Sequence, residues 1–306
     1  MTAVTGPLGV AEATVARAGR RRAPRRGRVA LNIVVIVLMI IWAIPSIALF
    51  VSSFRPAAVV TREGWWTAIY PPYEYSLANY EGVLSAQGLD QSFINSLIIT
   101  IPATIIVLTV AAFAAYAFAW MEFRGRQVLF VVLVGLLVVP LQITLIPVLS
   151  LFNGLELPGI GRVTGTFLAV WLAHTGYGLP FAIYLLRNYM GGLPREVFES
   201  AAIDGASPTT AFFRLALPMS VPVIASLIIF QFLWVWNDLL VSLVYLGAAA
   251  TNHPMSVTLA LLTTSRGGDW QLLTAAAFIS MALPIAVFFA LQRYFVRGIT
   301  GGAVKG

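Results

Sequence analysis

Six stretches of this chain are each long and apolar enough to cross a lipid bilayer, and that limits the fold before any other feature is weighed. They run from Ala30 to Val51, Phe93 to Ala119, Val128 to Phe152, Thr166 to Leu186, Val221 to Leu246 and Leu272 to Phe295. Hydrocarbon offers no water to backbone N–H and C=O groups, so such spans must be helices that satisfy their own hydrogen bonds. Pro45, Pro102, Pro140, Pro147, Pro180 and Pro284 fall inside them and predict kinks. With 59% of 306 residues hydrophobic and 10% charged, a soluble domain would have too little interior and too few surface charges. The expected fold class is an all-α membrane protein of six transmembrane helices. Residues 247 to 264 are moderately apolar, but Asn252-His253-Pro254 interrupts them, which predicts a loop with surface-lying segments.

Charge then orients the chain. Arg17, Arg20, Arg21, Arg22, Arg25, Arg26 and Arg28 directly precede the first span, giving a basic tail over residues 1–28 and a transmembrane domain over 29–306. Counted by side, fifteen Lys and Arg fall with both termini and the loops after the second and fourth spans, against four on the other side. The positive-inside rule therefore places both termini in the cytoplasm of a bacterial cell, with the chain multi-pass in the inner membrane. The arginine cluster suits anionic lipid, and nucleic acid is excluded as a partner. The first apolar run exceeds a signal-peptide core, so an uncleaved span is expected. No cysteine is present and the two histidines are far apart, so no metal site is expected. Trp65, Trp66, Tyr70, Tyr73, Tyr75 and Tyr80 crowd the loop between the first two spans. Their rings suit either the headgroup layer or a docking partner.

The loop between spans four and five, residues 192–218, is the most informative segment. Pro194 and Glu196 suit the first turn of a helix whose Val197, Phe198, Ala201 and Ala202 share one face. Gly205 permits the left-handed turn that ends it. Ser207-Pro208 reads as a cap opening a second short helix, which Pro218 closes. By periodicity alone, a helix-turn-helix that transmits force and a pair of helices lying on the membrane are equally open.

The segment resembles the cytoplasmic EAA loop of ABC importer permeases. Glu199-Ser200-Ala201 stands for Glu-Ala-Ala, Gly205 for the following glycine, and Leu215-Ala216-Leu217-Pro218 for Ile-x-Leu-Pro, with Ser200 and Leu215 as mild departures. The ending Gln292 to Gly306 is similar to that of maltose-type carbohydrate permeases, and the stretches 171–180 and Trp236-Asn237-Asp238 also fit that family, in overall flavour closest to alpha-glucoside permeases. The resemblance implies a type I ABC importer permease fold and a non-catalytic subunit of an ATP-driven, binding-protein-dependent oligosaccharide importer. It implies a homologous second permease, two ATPase subunits that hold ATP and Mg, and an extracytoplasmic sugar-binding protein. Glu196, Glu199, Ala201, Ala202, Asp204, Gly205, Leu215, Leu217 and Pro218 would couple to the ATPases, and Gly301, Gly302, Lys305 and Gly306 would touch them from the tail. No cofactor is expected on this chain, and no phosphate-binding Gly-x-x-x-x-Gly-Lys loop occurs in it.

Polar residues within the spans are candidates for a sugar pathway. Asp238 is the sole carboxylate inside a span, with Asn237 beside it and Gln231 two turns earlier. A charge at mid-bilayer must face protein or water. Gln231 and Trp234 would supply hydrogen bonding and a stacking face. Gln142, His174 and Tyr177 face the same choice between pathway and helix packing, and His174 has no evident ionisable partner. An ion-coupled secondary transporter, or an ABC permease for a non-sugar solute, is the alternative; the former would want more buried ionisable groups.

Overall fold

The computed structural model describes residues 25–86, 88–247, 250–265 and 270–303. The tail up to residue 24, with most of the arginines noted above, lies outside the described residues, as do Lys305 and Gly306. In chain order the elements are α1 (Arg25–Ser53), α2 (Ala57–Val60), α3 (Ala78–Ala86), α4 (Leu89–Trp120), α5 (Arg126–Leu136) and α6 (Leu141–Gly154). A short antiparallel ribbon, β1 (Glu156–Leu157) and β2 (Gly161–Arg162), leads to α7 (Phe167–Met190), α8 (Arg195–Ile203), α9 (Pro208–Ala211) and α10 (Leu217–Met219). The chain ends with α11 (Val221–Trp236), α12 (Leu240–Leu246), α13 (Met255–Ser265) and α14 (Trp270–Ala303).

Among the described residues, four helices (α1, α4, α7 and α14) are singly long and apolar enough to cross a membrane, and two bent pairs raise the number to six when each is taken as one span. The chain divides into two compact units, residues 1–49 and 50–306. In the first, none of residues 29–49 of α1 is buried. In the second, α4 packs along α7 through small residues: Ala103, Ala111 and Ala115 face inward from one, Ala169, Ala173 and Ala182 from the other. In lipid no water drives apolar helices together, so close backbone approach through such residues supplies the attraction.

Two expectations need correction. The span read as continuous over 128–152 breaks between α5 and α6, whose axes differ by 106°. Pro140 has no N–H and restricts the residue before it, so the helix stops and restarts. The span read as continuous over 221–246 ends at Trp236 and resumes at Leu240. Asn237 closes α11 and Asp238 covers the restart. The break is kept hydrogen-bonded, with Asp238 N–H donating to the Val235 carbonyl (3.2 Å) and the Ser256 hydroxyl donating to the Asp238 carbonyl (2.5 Å). Irregular backbone at membrane depth is tolerated where protein satisfies it.

The 247–264 region is also more ordered than a loop with surface-lying segments. It contains α13, and Met255 is fully buried with its N–H bonded to Ser96 Oγ at 2.8 Å. Asn95 ties the approach to α13 by donating to the Thr251 and His253 carbonyls. Between α1 and α3, Arg55 is 3% exposed and reaches Glu63 at 3.2 Å and the Gly64 carbonyl at 3.1 Å. The Thr67 hydroxyl, then Arg55, hold the Glu63 carboxyl below its usual range. Of the aromatics in this region, Trp66, Tyr70, Tyr73 and Tyr75 are exposed, whereas Tyr80 turns inward to the Ser53 hydroxyl at 2.7 Å.

Trp236 anchors the end of α11. It is 2% exposed, stacks on Phe232, meets Phe93 edge-on, and donates its indole N–H to the Ser280 carbonyl of α14 at 3.1 Å. Trp236→Ala is expected to destabilise the bundle by about 3–5 kcal/mol, measurable as a lowered thermal midpoint in detergent micelles. A midpoint within a degree of the parent would show that this anchor is dispensable.

Candidate functional site

The 192–218 segment folds as helix, turn, helix. Glu196 lies in the first turn of α8, next to its N-terminal dipole. Asp204 caps the other end, and Gly205 follows with φ +79°, a conformation that side chains other than Asn and Asp resist. The Ala206 N–H returns to the Ala201 carbonyl at 2.9 Å and closes the turn. Ser207 then caps α9, its hydroxyl accepting from the Thr210 N–H at 3.2 Å, with Pro208 in first position.

Pro218 does not close the second helix as expected. The chain widens into a π turn over Phe212–Ala216, continues through Pro218 in α10, and bends by 72° at Ser220 into α11. The wide turn sits just ahead of Pro218, whose ring cannot take a regular i→i−4 bond. The expected inward face of α8 also narrows to one residue: Phe198 is buried, while Val197 and Ala202 are exposed and Ala201 is half-buried.

Phe198 lies flat on Trp120 at the end of α4, ring centres 3.8 Å apart. The same indole donates to the Met190 carbonyl at the end of α7 (3.0 Å). Tyr116 donates its hydroxyl to the Pro208 carbonyl (3.0 Å), Phe212 stacks on Phe113 (4.7 Å), and Tyr189 donates to the Met219 carbonyl (3.2 Å). These contacts fasten α8 and α9 to the end of α4 and tie α7 to α4 and to α10. Sequence reasoning missed them, because an aromatic at the end of a span carries no sign of what it will touch.

Two concave faces flank the turn. One, about 470 Å³, lies against the end of α4 and includes Glu199, Ala202, Trp120 and Phe198. The other, about 430 Å³, includes Ala201, Asp204, Gly205, Arg214 and Leu215. Glu196, Leu217 and Pro218 line neither. Gly301 and Gly302 lie in the backbone of α14.

Within the bundle the candidate pathway residues separate into two groups. Tyr177 and Trp234 line two cavities, of about 280 and 390 Å³, and Gln231 lines the smaller. His174 and Asp238 line neither. His174 was expected to lack an ionisable partner, and that expectation is corrected: its Nε2 lies 3.7 Å from Asp238 Oδ2. Residues 64 apart in sequence give no sign of meeting until the fold is known. His174 is fully buried and its ring meets Trp234 edge-on at 5.2 Å. Asp238 Oδ2 also accepts the Ser242 N–H at 3.1 Å, capping α12. Gln142 is exposed at the start of α6, and Asn237 is exposed with its amide donating to the Leu233 carbonyl. A further chain of hydroxyls runs from Thr144 to Tyr177 (3.0 Å) and on to Tyr245 (2.8 Å), joining α6, α7 and α12.

A helical membrane bundle with internal cavities, and a rigid helical finger keyed into the ends of its helices, has the build of a transport permease. Residues 107–301 match the family described as the binding-protein-dependent transport system inner membrane component, and the chain belongs to that family. It is 55% identical over 278 residues to the osmoprotective compounds uptake permease protein GgtD of Synechocystis sp., covering 90% of this chain and 91% of that one. It is 56% identical over 242 residues to the alpha-glucoside transport system permease protein AglG of Rhizobium meliloti, covering 79% of this chain and 63% of that protein. A chain in the crystal structure of a bacterial ABC transporter involved in the import of the acidic polysaccharide alginate shares the fold, with a TM-score of 0.71, 21% identity, and coverage of 89% and 98%. The expected type I importer permease fold is thus borne out.

Asp238 has a structural duty that a substitution can isolate. Asp238→Ala strands the buried Ser242 N–H and is expected to cost about 1–3 kcal/mol, whereas Asp238→Asn keeps an acceptor there and should cost roughly half as much or less. Denaturant unfolding in micelles reads the difference, and equal losses would contradict the capping role.

Proposed function

We propose that this chain is the transmembrane subunit of an ATP-driven importer of neutral oligosaccharides, alpha-glucosides foremost. Its relatives' names supply the cargo class, since similarity to an alpha-glucoside permease and an osmoprotectant permease spans most of the chain. A homologous permease completes the pathway, an extracytoplasmic sugar-binding protein delivers the sugar, and two ATPase subunits hold ATP and Mg. Both termini face the cytoplasm, in line with the arginine distribution. Residues 1–28 form a basic tail against anionic lipid, and Gly301, Gly302, Lys305 and Gly306 meet the ATPases.

The observation that carries this reading is the fastening of the 192–218 finger to α4 through Trp120 and Tyr116, with α7 clasped to α4 at Met190 and to α10 at Met219. A surface-lying helix pair needs no such ties; a lever does. Glu196, Glu199, Ala201, Ala202, Asp204, Gly205, Leu215, Leu217 and Pro218 present or shape the face that an ATPase grips. When the ATPases close on nucleotide, the fingers move and the bundle passes between inward- and outward-open states. Nucleotide drives the change only through its different affinity for the two. Tyr177, Gln231 and Trp234 line the sugar's path, while His174 and Asp238 position the elements that carry them. Gln142 and Asn237 complete the path where it meets the second permease.

The test is co-expression with the ATPase, second permease and binding protein. Glu199→Lys reverses a charge on the gripped face, and Gly205→Asn tolerates φ +79° while adding bulk where the partner approaches. Both should leave the chain folded and membrane-inserted but lower ATP-linked sugar uptake roughly tenfold or more, as loss of one or two kcal/mol of coupling energy implies. Uptake and complex assembly that both survive the two changes would remove the finger from the coupling path.

A further inference from the structure

An open pocket between two helices of the bundle holds a buried polar group without a partner. Between α7 and α11 lies a space of about 280 Å³ walled by Tyr177, Gly178, Phe181, Phe230, Gln231 and Trp234, among others. Gln231 is 8% exposed, and its side-chain Nε2 has no hydrogen-bond partner. A buried amide without a partner is destabilising, so its presence calls for something that completes it. Gly178 on the facing helix makes room for it: a Cβ there would stand 2.8 Å from Gln231 Oε1 and 2.9 Å from Nε2. Any larger residue would push the carboxamide out of its notch.

The surroundings narrow what can complete it. Trp234 is 37% exposed, so part of its indole is open to a ligand. No charged side chain lines this cavity or the neighbouring one that shares Tyr177 and Trp234. A suitable ligand is uncharged, bears hydrogen-bonding groups around its rim, and has an apolar face to lay on an aromatic ring. A pyranose has all three. The volume lies near the lower end of the roughly 300–1,000 Å³ of small-molecule sites, which suits one ring rather than a chain.

We propose that the Gly178–Gln231 notch is a recognition site for a single uncharged sugar ring, with the Gln231 carboxamide bonding a ring hydroxyl and Trp234 covering the ring's apolar face. This rests on the proposed sugar-import function and adds to it: this subunit itself grips the cargo, and Gly178 is a positioning residue for that grip. A carboxylated sugar is disfavoured, because its charge would meet no cation here.

The chain has no cysteine, so Phe181→Cys or Phe230→Cys gives this subunit a single thiol in the cavity wall. Each is made in the assembled transporter, where ATP-driven maltose uptake is measured first. Maleimide labelling of either thiol should then slow by roughly threefold or more with saturating maltose and stay unchanged with a digalacturonate. Adding Gln231→Met, which keeps the length and removes the donor, or Gly178→Ala, which displaces the carboxamide, should abolish the protection while assembly with the ATPase persists. Protection that survives both substitutions, equal protection by the uronate, or none by maltose in a complex that takes maltose up would each overturn the notch. An unsubstituted transporter that assembles and hydrolyses ATP yet moves no sugar would instead overturn the proposed function.

Discussion

The flat stack of Phe198 on Trp120 is the contact on which the rest of this architecture turns. It brings a nine-residue helix of low apolar content, one that would otherwise wander along the membrane surface, into register with the ends of the long helices. An aromatic pair of this kind contributes roughly 0.5–1.5 kcal/mol beyond its burial. That is modest for stability and large for position, because the indole N–H is simultaneously committed to the Met190 carbonyl. A ring held by a stack on one face and a hydrogen bond at its edge has no freedom left to rotate. Tyr116 of α4 bonds the Pro208 carbonyl of the same segment, and Tyr189 of α7 bonds the Met219 carbonyl just beyond it. The finger is therefore keyed to α4 by a stack and a hydrogen bond, and α4 is itself packed along α7.

The interior shows how a membrane bundle can hold breaks without leaving backbone groups unpaired. At the α11–α12 junction the Asp238 carboxylate, the Ser256 hydroxyl and the Val235 carbonyl take up the groups that the missing turn releases. The carboxyl group is in turn faced by His174 at 3.7 Å, too long for a hydrogen bond. One residue thus caps a helix, marks a break and faces a ring that sets the edge of Trp234.

Much of the fold was legible in the sequence because lipid imposes length and apolarity on every span, and both are visible in one dimension. The break at Pro140 was half legible: the proline was noted, but a kink and a 106° break look alike in sequence. The break after Trp236 was hidden, since Asn237 and Asp238 read as polar residues within a helix. In the finger, Gly205 and Ser207 announced their roles through local backbone chemistry, which is why the turn and the cap were predicted at those residues. Pro218 misled, because a π turn that accommodates a proline has no signature of its own. The His174–Asp238 approach and the room that Gly178 makes for Gln231 depend on how two helices rotate against each other, and periodicity does not fix that angle.

The distribution of fastenings divides the bundle into stiffer and looser parts. α4 and α7 meet through fully buried alanines and share the clasp at Trp120, so separating them would open a dry interface along its whole length. α12 is a seven-residue helix beyond a break. It is held to α6 and α7 by its buried Val241, Tyr245 and Leu246 and by hydroxyl bonds at Tyr245, with Asp238 at its start. A small-residue seam cannot slide without losing contact along its length. A displacement entering through the finger would be carried whole by α4 and α7 and taken up at the two breaks. Tyr177 and Trp234 lie between them, in the walls of both cavities. The cavity walls are thus placed where rigid and yielding elements meet, which is where a movement of helices changes the shape of an internal space most.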